Sequence, residues 1–214
     1  MASNMTEERL AARTYVYTVL QNILGNDPTA EQFEALDQEV LSAAYEELGL
    51  GDSATLNRLV ANAAQDVESA KREYMRVFVG PFKLPTPLWE SVHMTGEDAL
   101  FQEITLQVRK RYRAEGILPA EYPHVPDDHI ALELDFLRTL AVRAQEALAA
   151  GDEEACRAAL VSSHEFLEKH LTRWAHRFAK GLEQSGCSAY YAGVASAAAR
   201  FADADAAWLS EALA

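Results

Sequence analysis

The chain has 214 residues, enough to bury a hydrophobic core, and its 19 Lys and Arg against 33 Asp and Glu give a formal net charge of −14. That charge opposes binding to nucleic acid phosphates and to anionic lipid, whereas it attracts a cationic partner. The first residues, MASNMTEERL, lack the apolar core of a secretory signal, and no later window approaches the roughly 18 apolar residues of a membrane span. We therefore expect a cytoplasmic protein without stable membrane insertion.

Two amphipathic helices are predicted in the first 50 residues. Asn4 and Glu7 have the spacing of a capping box, and the apolar residues that follow recur with helical period as far as Gly25. Pro28 opens the second helix because proline at the first helical position loses no hydrogen bond. This helix is predicted to continue to Gly49.

A third, long helix is predicted from Ser53 to Gly80, followed by a different kind of segment. Pro81, Pro85 and Pro87 remove backbone donors there and keep the chain near extended conformations. The segment is therefore expected to be a stiff loop that presents apolar side chains, namely Phe82, Leu84, Leu88, Trp89 and Val92.

The remainder of the chain is predicted to be helical, with one further interruption. Thr95 and Asp98 suggest a capping box for a helix that ends at Gly116, after which a second proline-rich loop extends to Asp128. Helical periodicity then continues from residue 130 to the C-terminus, broken by glycines. Because no alternating strand pattern occurs, we predict an all-α fold, a single helical bundle of about six to eight helices with two proline-rich loops, in one domain over residues 1–214.

The second loop ends in a cluster of polar residues. One carboxylate, at Asp127 or Asp128, is expected to cap the helix that begins near Ile130. The other aspartate and His129 exceed what capping needs. The positive end of the helix dipole disfavours protonation of the imidazole, so a neutral His129 could bind a polar partner.

The remaining histidines and the cysteines point to structural roles. His164, His170 and His176 recur every six residues, which scatters them around a helix, so we interpret them as solvated or hydrogen-bonded helix residues. Cys156 and Cys187 lack any CxxC partner and are interpreted as free thiols. No metal site and no cofactor is predicted.

Three functional interpretations remain open from these residues alone. HExxH, GxxxxGK[ST] and GxSxG are all absent from the sequence, which does not favour a hydrolase or a nucleotide-binding enzyme. A small enzyme could still use Asp127, Asp128 and His129 in acid-base catalysis. The other two interpretations are a binding protein that uses the two loops and a structural subunit of a larger complex.

An ordered set of motifs resembles the TorD/DmsD family of redox-enzyme maturation chaperones, which includes NarJ-like proteins. The motifs cover the chain from about residue 70 onward, each on a helix-loop junction. They are Tyr74-x-x-Val77-Phe78-x-Gly80-Pro81, Pro85-x-Pro87-x-x-Glu90-Ser91-Val92, Pro126-x-Asp128-His129-Ile130, Phe166-Leu167-x-x-His170-Leu171-x-x-Trp174 and Tyr190-Tyr191. Two positions depart from the pattern, Val125 where an acid is common and His93 where an aromatic is common.

The resemblance implies a chaperone that is not an enzyme. Its partners would be the twin-arginine signal peptide and the apo form of a molybdopterin oxidoreductase catalytic subunit. Trp89, Ser91, Pro126, Asp128 and His129 match positions that the family uses for signal-peptide binding. The loop from Gly116 to Asp128 matches a hinge through which some members exchange halves and form homodimers.

These arguments together predict a peptide-binding site made by the two loops. Apolar residues of the first loop would form a groove. Glu90, Asp127 and Asp128 would lie at the end of the groove that receives the cationic part of the peptide, where the arginines bind. We expect an affinity near micromolar, roughly −8 kcal/mol, because ordering a flexible peptide offsets much of the gain from burial. The predicted site comprises Phe82, Leu84, Pro87, Leu88, Trp89, Glu90, Ser91, Val92, Pro126, Asp127, Asp128 and His129.

Overall fold

The structure is a computed structural model that describes residues 6–80, 83–119 and 125–214. Within these ranges it contains helices and no named strand, which confirms the all-α prediction. The helices are α1 Glu7–Gly25, α2 Ala30–Ala35, α3 Gln38–Glu47, α4 Ser53–Ala64, α5 Val67–Tyr74, α6 Glu90–Thr95, α7 Glu103–Ala114, α8 Ile130–Ala149, α9 Glu153–Lys169, α10 Ala175–Gln184 and α11 Ala189–Leu213. A π-helical turn, Met75–Val79, follows α5, and a 3-10 turn, Leu171–Arg173, precedes α10.

The helices pack around α8, which lies against α1 on one side and α9 on the other. α11 packs on α9 and α10 and also contacts α1, so the first and last helices share one core. Helix α8 reaches this central position because its apolar residues repeat at helical spacing along its buried side. They include Ile130, Leu134, Leu137, Leu140, Ala141 and Ala144, each fully buried.

A buried ion pair links α1 to α11. The Arg13 guanidinium donates two hydrogen bonds to the Asp205 carboxylate, with Nε to Oδ1 at 2.6 Å and Nη2 to Oδ2 at 2.9 Å. Tyr17 donates its hydroxyl to the same carboxylate at 2.7 Å, and the Trp208 ring lies against the guanidinium at 5.2 Å. Charges buried this deeply need such partners, because unpaired they would pay the full cost of desolvation.

Two of the predicted helices are each divided by an aspartate. The predicted second helix is α2 followed by α3, because Asp37 accepts hydrogen bonds from the amides of Glu39 and Val40 and starts a new helix. The predicted third helix is likewise split into α4 and α5, since Asp66 accepts from the amide of Ser69. An aspartate inside an apolar helical pattern can thus act as a cap.

The predicted helix starts are also corrected in places. Asn4 lies outside the described residues, and Thr6 caps α1 by accepting from the Arg9 amide at 3.1 Å. Thr29, not Pro28, begins α2, through a capping box with Gln32. The capping box predicted at Thr95 and Asp98 is wrong, because Thr95 ends α6 and donates its hydroxyl to the Ser91 carbonyl.

Other sequence predictions have mixed outcomes. Cys156 and Cys187 are not joined in a disulfide; Cys156 is buried and Cys187 is half-buried. A membrane-crossing helix, judged by length and apolar character, does not occur in the described part of the chain. The single domain and the hinge at residues 116–128 stay predictions, and residues 120–124 of that hinge lie outside the described ranges.

Candidate functional site

The two proline-rich loops meet in a short antiparallel bridge between Trp89 and His129. The Glu90 amide donates to the Asp128 carbonyl, and the Ile130 amide donates to the Leu88 carbonyl, both at 2.9 Å. Prolines on either side keep the chains extended and remove donors, so the pairing stays limited to one bridge. The predicted convergence of the two loops is therefore present in the backbone.

Trp89 and His129 lie edge to face across this bridge, with ring centroids 5.8 Å apart. His129 is the N-cap of α8, since its Nδ1 accepts from the Ala131 amide at 3.2 Å. Burial lowers the pKa of His129 to about 4, although the nearby Asp128 charge acts in the opposite direction. The imidazole is thus neutral at physiological pH, as predicted, with its proton on Nε2.

Asp128 caps a different helix from the one expected. Its Oδ2 accepts from the Ser91 amide at 2.9 Å, in the first turn of α6, whereas the sequence suggested that an aspartate would cap α8. His129 performs that capping itself. Asp128 is fully buried, and neither its Oδ1 nor the Ser91 hydroxyl has a hydrogen-bond partner in the described structure.

Asp127 forms an internal ion pair. The Arg109 guanidinium of α7 donates to Asp127 Oδ2 from Nη2 at 2.6 Å and from Nε at 3.0 Å. The Tyr112 hydroxyl donates to the Asp127 carbonyl at 2.9 Å. Asp127 therefore attaches the second loop to α7, and the preceding Pro126 is buried.

Glu90 belongs to a buried polar cluster beneath the bridge. Its Oε2 is 2.8 Å from Nδ1 of His170, and Glu133 lies nearby on α8. Burial, together with the charge of Glu90, raises the pKa of Glu133 well above its usual range. Trp174 donates its indole N–H to Glu133 Oε2 at 3.1 Å.

The prediction that Glu90, Asp127 and Asp128 present negative charge to a bound arginine is therefore wrong for this conformation. Each has an exposed fraction of 1% or less. All three are held by internal partners, because burying a carboxylate without hydrogen bonds or a counter-charge is costly. They fix the positions of the loops instead.

The apolar residues predicted for the site fall into two groups. Leu88 and Val92 are buried with Ser91 and form the base of the loops, whereas Leu84, Pro87 and Trp89 are partly exposed. Phe82 lies outside the described residues. We use the name loop junction for the partly exposed residues at the bridge, which are Leu84, Pro87, Trp89, Val125 and His129.

Neighbouring residues hold the first loop in place. His93 Nε2 is 2.8 Å from the Pro87 carbonyl oxygen, and its ring lies 5.3 Å from that of Trp174. Burial lowers the pKa of His93. The buried Thr86 packs so closely on α10 that a Cβ at Gly181 would lie 2.9 Å from the Thr86 Cβ. The junction is consequently preformed.

The sequence did not reveal Arg109, Glu133 and Trp174 as partners of the site residues. The spacing of Glu133 could have indicated its burial, because it lies three residues after Ile130 and so on the apolar face of α8. Of the two roles predicted for His170, a solvated or a hydrogen-bonded helix residue, the second is closer: His170 directly follows α9, is buried, and contacts Glu90. Across the described ranges, no group of three or more His, Cys, Asp or Glu side chains is arranged to hold a metal ion.

Fold and site together define an all-helical protein with a rigid, partly apolar junction between two loops. The family model described as nitrate reductase delta subunit matches residues 26–180, and the chain belongs to this family. The Tat proofreading chaperone DmsD of Salmonella typhi is 32% identical over 111 residues, which cover 52% of this chain and 48% of that protein. The chain thus matches about half the length of its DmsD relatives.

Two further similarities extend over more of the chain. The chaperone protein TorD of Vibrio cholerae is 30% identical over 167 residues, 72% of this chain and 71% of that protein. A solved structure from Archaeoglobus fulgidus, a candidate redox enzyme maturation protein, has the same fold at a TM-score of 0.51 and 20% identity, covering 95% of this chain and 97% of that one. The predicted membership of the TorD/DmsD group is confirmed.

Proposed function

We propose that this protein is a cytoplasmic chaperone that binds the twin-arginine signal peptide of a molybdenum-containing oxidoreductase subunit, of the DMSO or TMAO reductase type. It would hold the apo subunit until its cofactor is loaded, and it would not be an enzyme. The observation that carries this proposal is the loop junction, where Trp89 and His129 are brought together at the surface. Relatives named Tat proofreading chaperones support it.

The junction has the composition of a peptide anchor site. Trp89, Leu84 and Pro87 offer partly exposed apolar surface on a backbone that is already ordered, so the protein itself loses little entropy when a peptide binds. The Trp89 Nε1 has no partner within the described ranges. This N–H is buried, so a bound peptide would contact the exposed part of the indole ring rather than the N–H.

The negative charge for the two arginines would come from exposed carboxylates rather than from the buried ones. Glu97, Asp98 and Glu103 follow α6 and are exposed. Asp98 lies 3.5 Å from Lys83, which places this acidic segment beside the first loop. With a net charge of −14, the protein would also attract a cationic peptide over distance.

The alternative of acid-base catalysis has less support. Asp127 is engaged by Arg109, Asp128 by the Ser91 amide, and His129 uses Nδ1 to cap α8. These contacts are those of residues that position a loop. The chaperone interpretation uses the same residues without requiring them to exchange protons with a substrate.

A homodimer formed by exchange of halves also belongs to the proposal. Residues 116–128 would serve as the hinge, and the bridge between residues 89 and 129 would re-form within the dimer. Sedimentation at several protein concentrations tests this part independently of peptide binding.

Calorimetric titration with a synthetic peptide tests the main proposal. The peptide carries two adjacent arginines and an apolar segment of about 12 residues. We expect a dissociation constant near 1 μM, on the order of −8 kcal/mol, and at least about tenfold weaker binding by Trp89→Ala. Leu84→Ala should also weaken binding, whereas its control Leu106→Ala, another exposed leucine, should not.

Two outcomes would overturn the proposal. One is the absence of binding by the unaltered protein at millimolar peptide. The other is equal affinity of the Trp89→Ala and unaltered proteins, provided that both unfold cooperatively. A peptide with both arginines replaced by glutamine measures the contribution of charge.

A further inference from the structure

A second apolar site lies away from the loop junction, between α1, α2 and the start of α11. It is a cavity of about 310 Å³, at the lower end of the size range of small-ligand pockets. Its walls are mostly apolar, and the lining residues include Val19, Ile23, Pro28, Phe33, Leu36 and Tyr190. Such a volume accommodates one or two apolar side chains.

Helix α2 covers this cavity and is only loosely packed. None of its six residues is fully buried. Phe33 and the adjoining Leu36 are half-buried and line the cavity, and the Phe33 ring lies 6.0 Å from that of Tyr190. Local hydrogen bonds nevertheless keep the helix formed, through the capping box of Thr29 and Gln32. α2 is therefore a small preformed lid with an apolar inner face that is incompletely covered.

The rim of the cavity suits a peptide backbone. Asn22, Asn26 and Gln32 contribute side-chain amides; the Gln32 Oε1 already accepts from the Thr29 amide, which leaves its Nε2 to donate to a carbonyl. Glu31 is the one residue with a charged side chain among the described lining residues, so the rim is negative. An apolar segment without acidic residues matches this combination better than an anionic ligand does.

The cavity and the loop junction are linked through the last turn of α1. Gly25, between the lining residues Ile23 and Asn26, approaches α8 so closely that a Cβ there would be 2.9 Å from the Ala131 Cβ. Ala131 is two residues beyond His129, in the first turn of α8. The last turn of α1 thus connects the two sites.

We propose that this cavity receives one or two side chains from the apolar segment of the twin-arginine signal peptide, with α2 as its lid, while the arginine-bearing part lies at the loop junction. The inference rests on the proposed function and assigns the second half of the same ligand. A signal peptide has an apolar segment of about 7–15 residues next to its charged start, which is long enough to continue from one site toward the other.

Filling the cavity tests this assignment. Ile23→Phe enlarges a side chain of α1 that lines the cavity. Ala35→Trp enlarges an exposed side chain of α2 that also lines the cavity. Val161→Phe is the matched control, because it adds the same ring at a surface pocket on α9. Each variant is titrated with two synthetic peptides, a long one with paired arginines and an apolar segment of about 12 residues, and a short one that ends after the arginine-bearing part.

We expect both cavity variants to bind the long peptide at least about tenfold more weakly, the effect of one buried apolar side chain, and to bind the short peptide as the unaltered protein does. Val161→Phe should bind both peptides normally. Unchanged affinity of both cavity variants for the long peptide would overturn the inference alone. Failure of the unaltered protein to bind either peptide would instead overturn the proposed function.

Discussion

The Ser91 amide donates a hydrogen bond to the carboxylate of Asp128, although 37 residues separate the two in sequence. The contact caps α6 with a side chain from the other loop, and both residues are fully buried. The position of the first loop therefore depends on the second.

Removal of this carboxylate should destabilise the protein. Asp128→Ala should lower the free energy of unfolding by about 2 kcal/mol, the upper range for loss of a cap, because the Ser91 amide would be left without an acceptor in a buried site. Asp128→Asn retains an acceptor and should lose less than half as much. Urea denaturation measures both, with the exposed Asp98→Ala as control. Equal losses for Asp98→Ala and Asp128→Ala would contradict the assignment.

Glu133 should make stability fall as pH rises. Its pKa is raised in the folded protein by burial and by Glu90, so the folded state retains a proton that the unfolded state releases above about 4.5. Between that pH and the folded pKa, stability should decline by at most about 1.4 kcal/mol per pH unit. Glu133→Gln should remove this decline. Unfolding measured above pH 6.5 avoids the opposing contribution of His129.

The opposite dependence is expected for His129. Its pKa falls from 6.5 to about 4 on folding, so its contribution to stability is complete above pH 6.5 and is lost as the pH falls toward 4. His129→Asn keeps a capping side chain for α8 and removes the titrating group. The ratio of unfolded to folded protein in this acidic range should therefore vary less steeply with pH in His129→Asn. Identical pH profiles would contradict a His129 imidazole that stays neutral in the folded protein.

The ion pair between Arg13 and Asp205 should be a major contact between α1 and α11. Asp205→Ala leaves a buried guanidinium without its counter-charge and should cost about 3–5 kcal/mol. Asp203, two residues earlier on the same helix, pairs with His176 at the surface, where both side chains are about half exposed. Asp203→Ala should therefore change stability by less than about 1 kcal/mol. Chemical denaturation of the two variants side by side measures the difference.

Binding of the arginine-containing peptide should weaken as salt rises. Screening shortens the reach of exposed charges from about 30 Å at 0.01 M ionic strength to about 3 Å at 1 M. Neutralisation of the exposed acids near the junction, by Glu97→Gln, Asp98→Asn and Glu103→Gln together, should flatten this dependence. A control triple variant changes Glu146, Glu153 and Glu154 to Gln on α8 and α9. If the control flattens the curve equally, only the net charge matters.

The sequence predicted the helices best where apolar periodicity was unbroken, as in α8 from Ile130 onward. It failed at Asp37 and Asp66, because an aspartate that begins a new helix looks the same in sequence as one on the solvated face of a continuous helix. The two loops were identified correctly from their prolines. Their convergence follows from the requirement for one binding site, whereas the pairing of Trp89 with His129 has no signal in the sequence.

Burial of the carboxylates could not be foreseen. Glu90 contacts His170, 80 residues away, and Asp127 contacts Arg109, 18 residues before it. Whether an acid faces water or a partner depends on such distant pairs, which a single sequence does not specify. The sequence alone therefore predicts exposed carboxylates at Glu90 and Asp127, whereas the structure buries both.

Two of the contacts at and beneath the junction join parts of the chain on either side of residues 116–128. Trp89 and Glu90 precede that connection, and their partners His129 and His170 follow it. Exchange of halves between two copies would thus create composite junctions, each with the indole of one polypeptide and the imidazole of the other. In a mixture of two variants, one defective at Trp89 and one at His129, half-exchanged pairs would contain one junction with both defects and one with neither.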